Sequence, residues 1–185
     1  IMDSVFLPLV VQRDVVFVAK QEYFTGTRPI DRLTARFMRN SGQLPVNRGN
    51  NRAAQEALDA SLGVLKAGGL FGIYPEGTRS PDGRLYRGRT GVAWLALTAD
   101  VPVVPVAMLN TERALPPGSR VPRPVKVGIR FGQPLTFEEY KGQAGKARAR
   151  RAVTDQIVAA IGELSGQEYV PHYAPKRNTD PDAGA

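Results

Sequence analysis

Short apolar runs alternate along this chain with segments whose apolar residues recur every three or four positions. Residues 15–20, VVFVAK, form a β-branched run that predicts a buried strand ending at Lys20. Residues 30–40 place Ile30, Leu33, Phe37 and Met38 at helical spacing, with Pro29 at the entrance. A short strand is expected over residues 42–47, interrupted by Pro45. Asn50 or Asn51 then caps a helix with Ala54, Leu58, Leu62 and Leu65 on one face, ended by Gly68-Gly69. Residues 70–74 predict a third strand, and residues 90–99 a helix with Val92, Leu95 and Ala96 inward. Two further strands are expected in VPVVPVAML and PVKVGIRFG. The second sets Val125, Val127, Ile129 and Phe131 against Lys126 and Arg130, so one face is expected to be more exposed. A last helix is expected over residues 146–164, basic at its beginning. At the front, Asp3-Ser4 before VFLPLV reads as a capped helix start.

Short strands alternating with helices imply an α/β fold around a largely buried sheet. One domain is expected over residues 1–170. Residues 171–185, dominated by Pro, Asp, Gly, Ala and charge, read as a disordered tail.

Composition narrows the chemistry. Zero Cys excludes thiolate nucleophiles and Cys-ligated zinc, and the single His, His172, excludes a multi-His metal site on this chain; no metal or cofactor is expected. Net charge is +8, and 19 of the 25 basic residues are Arg, which favours an anionic partner such as phosphate, an acidic membrane surface or nucleic acid. Nucleic acid ranks last, because charge is not accompanied by an aromatic platform or a reading helix. There is no transmembrane run, because VFLPLVV is stopped by Gln12-Arg13-Asp14, and no signal-peptide pattern.

The chemistry-bearing stretch is IYPEGTRSPDG, residues 73–83. In open α/β sheets ligands sit on loops that follow strands. Here Lys20, Arg48 and the Glu76-Gly77-Thr78-Arg79 loop each follow an expected strand, and Arg84, Arg87 and Arg89 lie just beyond. Glycine lets a backbone approach a ligand closely, and Arg offers a bidentate fork to phosphate oxygens. Glu76 would orient Arg79 or hold the loop through backbone N–H groups. A solvated Glu–Arg turn is the plainer reading of the same residues. No Walker loop, dinucleotide fingerprint or nucleophile elbow occurs.

YPEGTRS at residues 74–80 resembles the Phe-Pro-Glu-Gly-Thr-Arg-Ser block of the glycerolipid acyltransferases that acylate lysophosphatidic acid. DSVFLPLV resembles the segment starting at the Asp of that family's His-x-x-x-x-Asp motif. VAKQEYF, GQLPVNR and VPVVPVAM resemble three further blocks in the family's order, so the resemblance covers about residues 1–135.

The resemblance implies a glycerolipid-acyltransferase-like mixed sheet flanked by helices. It implies acyl transfer from acyl-CoA or acyl-carrier protein to lysophosphatidic acid, giving phosphatidic acid. Asp3 stands at the motif Asp, which would orient a general-base His. Arg48, Glu76, Gly77, Thr78 and Arg79, with Lys20 beside them, would hold the acceptor's phosphate. The matching His position falls five residues before Asp3, ahead of Ile1, so residues preceding Ile1 are expected to supply it; the alternative is an inactive relative. His172 is not expected to replace it. The expected location is the cytoplasmic face of a membrane, peripherally bound or anchored. Rival readings are another lysolipid or glycolipid acceptor, or a non-catalytic anionic-lipid-binding relative. Trp94 is expected in the core.

Overall fold

A computed structural model describes residues 7, 8, 10–20, 43–46, 51–78, 80–111 and 125–175. Along these the elements run β1 (Val15–Lys20), β2 (Leu44–Val46), α1 (Asn51–Lys66), β3 (Leu70–Gly72), β4 (Leu85–Tyr86), α2 (Gly91–Ala99), β5 (Val106–Leu109), β6 (Gly128–Phe131), a 3-10 turn (Glu138–Tyr140), α3 (Ala147–Ser165) and β7 (Tyr169–Val170). The expected helix over residues 30–40 lies outside the described residues.

The α/β class holds. Strands β2, β1 and β3 form a parallel sheet in that order, with Val18 opposite Leu44 and Val15 opposite Leu70. Strands β5 and β6 pair antiparallel, and β4 pairs with β7 in parallel. The β4–β7 pair has no counterpart in the hydrophobic pattern, because two-residue strands carry no detectable alternation.

Helix α1 packs against this parallel sheet and α2, while α3 packs against α2, β5 and β6. Helix α2 therefore lies between α1 and α3. Its inward residues are Val92, Ala93, Leu95 and Ala96, which include the three expected. Trp94 is half-buried. Val92, Ala93 and Ala96 join Phe137, Val153 and Ile157 in one core cluster, with Ile73 packed against it. Each large aliphatic side chain so buried contributes roughly 1.5–3 kcal/mol.

Three expectations shift. The inward stripe of α1 runs through Ala53 and Ser61, and Ala54 is exposed. Ser61 can be buried because its hydroxyl donates to the Ala57 carbonyl at 2.6 Å; a count of apolar residues overlooks such a position. In β6 both Arg130 and Phe131 are exposed, as is Val125 before it, so the expected alternation of faces fails there. The strand expected over VPVVPVAML begins only at Val106, since Pro102 and Pro105 have no N–H for a ladder. The helix end is as expected: α1 stops at Lys66, and Gly68 takes φ +77°.

Of residues 171–175, assigned to the tail on composition, Ala174 is buried and the other four are exposed. Ala174 and Val170 are buried with Tyr86 in a second cluster. Residues 176–185 lie outside the described residues.

Candidate phosphate-binding loop

The parallel pairing of β2, β1 and β3 puts the C-terminal ends of these strands at one edge of the sheet. Lys20 ends β1 opposite Val46, two residues before Arg48 in the chain. The backbone of Lys20 is described and its side chain is not. Asp3, Arg48 and Arg79 lie outside the described residues. Glu76, Gly77 and Thr78 are within them.

The chain leaves β3 at Gly72, where any side chain would run into the Phe17 ring. The Tyr74 ring stacks on Phe17 with centroids 5.9 Å apart. The chain then turns. The Gly77 N–H donates to the Tyr74 carbonyl at 3.0 Å, closing a turn in which Pro75 pre-sets φ and Gly77 takes φ +72°. Local sequence thus favours this turn.

What holds the loop in place comes from farther away. Glu76 Oε2 accepts the backbone N–H of Tyr86, in β4, at 2.9 Å. The Pro75 carbonyl accepts the N–H of Arg89 at 2.7 Å. The Glu76 carboxyl is pushed above its ordinary value, first by burial and secondarily by the charge of Asp82, while the Tyr86 bond opposes the shift. The first role expected of Glu76, orienting Arg79, involves a residue outside the description; the second, holding the loop through a backbone N–H, is the geometry observed.

The loop also has a floor. Gly88 is buried, and a Cβ there would come within 2.8 Å of Thr154 and Val158 on α3 and 3.4 Å of Pro75. The Gly88 carbonyl accepts from Arg151 Nη1 at 2.7 Å, and Asp155 holds that guanidinium through bonds of 3.0 and 2.6 Å. So α3 positions the turn that presses on Pro75.

The three arginines beyond the loop separate. Arg84 turns away to Asp82, with Nε donating to Oδ2 at 2.8 Å, and reaches Glu168 at 3.5 Å. That bond holds Asp82 well below the usual carboxylate range. The Tyr86 hydroxyl donates to Asp82 as well, and burial raises its own pKa. Arg87 and Arg89 instead gather on Tyr173, 5.5 and 5.1 Å from its ring centroid. The stem of Arg89 lies over Gly77, where a Cβ would meet its Cδ at 2.9 Å.

His172 packs edge-on against Tyr86, and its carbonyl accepts the Arg87 N–H at 3.1 Å. It closes the β4–β7 region and does not reach the loop through any contact described. Sequence reasoning missed Tyr86, Gly88, Arg151 and Tyr173. Gly88 between two arginines was a visible cue; the others contact the site only through tertiary packing.

Among the described residues no cluster could hold a metal ion, and no helix is long and apolar enough to cross a membrane. A hollow at the far end of α2, lined by Asp100, Phe137 and Lys141 among others, is partly closed by the 2.7 Å Lys141–Asp100 ion pair.

Residues 1–109 match the family described as Acyltransferase. The chain is 36% identical over 78 residues to the chloroplastic 1-acyl-sn-glycerol-3-phosphate acyltransferase of Brassica napus, covering 42% of this chain and 23% of that one. It is 32% identical over 96 residues to the 1-acyl-sn-glycerol-3-phosphate acyltransferase of Limnanthes alba, covering 51% and 34%. The chain thus spans about a quarter to a third of the length of these relatives. The crystal structure of the 1-acyl-sn-glycerophosphate acyltransferase from Thermotoga maritima superposes with a TM-score of 0.58 at 27% identity, covering 82% of this chain and 57% of that one.

Proposed function

This chain belongs to the acyltransferase family, and from that premise we propose that it acylates 1-acylglycerol 3-phosphate, giving phosphatidic acid. The observation that carries the reading is the Pro75–Thr78 loop, which follows the half-buried parallel strand β3 and is held by hydrogen bonds from Tyr86 and Arg89. The relatives named as 1-acyl-sn-glycerol-3-phosphate acyltransferases support the choice of acceptor.

In this reading the acceptor's phosphate lies against Gly77 and Thr78 and is gripped by Arg79, with Arg48 and Lys20 contributing from the neighbouring strand ends. Glu76 holds the loop. The acceptor hydroxyl loses its proton to the imidazole of a His-x-x-x-x-Asp motif, whose Asp position is Asp3. The hydroxyl oxygen attacks the thioester carbonyl of acyl-CoA or acyl-carrier protein. The tetrahedral intermediate collapses, the new ester C–O bond is complete, and the thiolate leaves and takes up the proton. No cofactor beyond the acyl donor is invoked. We place this reaction at the cytoplasmic face of a membrane, where the acceptor resides and where the excess of Arg favours anionic lipid.

The test is acyl transfer from labelled palmitoyl- and oleoyl-CoA to a panel of lysolipids by the purified protein. Lysophosphatidic acid is expected to be the preferred acceptor, and Arg79→Ala is expected to raise its KM or abolish turnover. Preference for a lysolipid without a terminal phosphate, or normal kinetics in Arg79→Ala, would overturn the assignment.

A further inference from the structure

Two guanidinium groups converge on one uncharged ring beside the loop. Arg87 and Arg89 lie 5.5 and 5.1 Å from the centroid of Tyr173, which is 45% exposed. An aromatic face attracts a cation without neutralising it. The acids nearest in sequence are engaged elsewhere: Asp82 by Arg84, Tyr86 and Ser80, Glu76 by the Tyr86 N–H, and Glu168 by Arg84. Among the described residues neither Arg87 nor Arg89 has an ion-pair partner.

The backbone fixes this arrangement. The Arg87 N–H donates to the carbonyls of Val170 and His172, both at 3.1 Å, and the Arg89 N–H donates to Pro75. Ala174, the next residue after Tyr173, is buried with Tyr86 and Val170. The two cations are therefore held at the rim of the loop by the segment that follows β7. Forked donors with unspent charge match the oxygens of a phosphate group.

We infer that Arg87 and Arg89, positioned by Tyr173, form a second phosphate site next to the Gly77 turn, separate from the site proposed for the acceptor. Two sources share this chemistry: the phosphates of a CoA-bound acyl donor and the headgroup of an anionic membrane lipid. This deepens the acyltransferase reading and rests on it for those two sources. Binding is read without turnover, so failure of the site and failure of that reading are distinguishable. Tyr173 is a positioning residue, holding the arginines and not the phosphate.

The experiment compares wild type with Arg87→Gln/Arg89→Gln, Tyr173→Leu and Tyr173→Phe. Probes are free CoA, 3′-dephospho-CoA, and phosphatidylcholine vesicles with and without phosphatidic acid. The double substitution is expected to weaken binding to CoA or to phosphatidic acid vesicles about tenfold or more, while leaving thermal melting close to wild type. Loss confined to CoA names the donor; loss confined to vesicles names the headgroup. Tyr173→Leu is expected to weaken the same probe, and Tyr173→Phe, which keeps the ring, to restore it. If the double variant does not fold, the Tyr173 pair decides. Wild-type affinity for both probes in the double variant, or equal affinity in Tyr173→Leu and Tyr173→Phe, overturns the inference.

Discussion

The carboxylate of Glu76 accepts the backbone N–H of Tyr86 across 2.9 Å, joining the turn after β3 to strand β4 ten residues later. Tyr86 is buried, so its N–H has no ready alternative in water. Glu76→Ala is expected to leave that donor unsatisfied and to cost about 1–3 kcal/mol. Urea denaturation measures it, and Glu76→Gln, which keeps an acceptor oxygen, is expected to recover most of the loss.

The same residue gives a pH signature. Its folded-state pKa is raised above 4.5, mainly by burial. The associated stability is fully present below 4.5 and is lost as pH rises through the folded value. Glu76→Gln does not titrate, so its melting temperature relative to wild type is expected to increase as pH rises above 4.5. Asp82 runs the opposite way. Its hydrogen bond from Arg84 lowers its folded pKa below 3.8, so its contribution is present above 3.8 and is lost as pH falls. The stability gap between wild type and Asp82→Asn is expected to close in acid. Thermal melts across this range check both directions.

Gly77 is required twice over. At φ +72° an L-residue is strained, and a Cβ would meet Arg89 Cδ at 2.9 Å. Gly77→Ala is expected to destabilise by about 1–2 kcal/mol. It is also expected to depress acyl transfer beyond what the lost stability explains, because it displaces the turn. Chemical denaturation and initial rates on the same preparation separate the two effects.

Gly88→Ala tests the floor of the loop. Its methyl group would press on Thr154 and Val158 at 2.8 Å, and overpacking of this kind costs about 1–3 kcal/mol. Thr154→Ser, which removes one of the two methyl groups in the way, is expected to relieve part of that cost. A double-mutant cycle between positions 88 and 154 measures the coupling; additive effects would show that the two residues do not press on one another.

Ile157 is 2% exposed and lies in the cluster that supports Ile73, two residues before Pro75. Ile157→Ala is expected to cost about 2–5 kcal/mol. A calorimetric melt checks this directly.

Local sequence determined much of this molecule. VVFVAK becomes β1 because its β-branched residues suit a buried strand, and Gly68-Gly69 ends α1 because a left-handed residue is needed there. Pro75 and Gly77 specify their turn through their own backbone preferences, and the order of the motif blocks identifies the family. Tertiary structure decided what the loop's residues face. Glu76 turns to Tyr86, Arg84 is spent on Asp82, and Arg87 and Arg89 are gathered by Tyr173 from a segment whose composition reads as tail. Arg151 supports Gly88 from 63 residues away. Propensity and periodicity are local and carry no information about such pairings. Charge counting treated Arg84, Arg87 and Arg89 as equivalent, and only packing, by giving Arg84 two acids and leaving Arg87 and Arg89 on the Tyr173 ring, made them different.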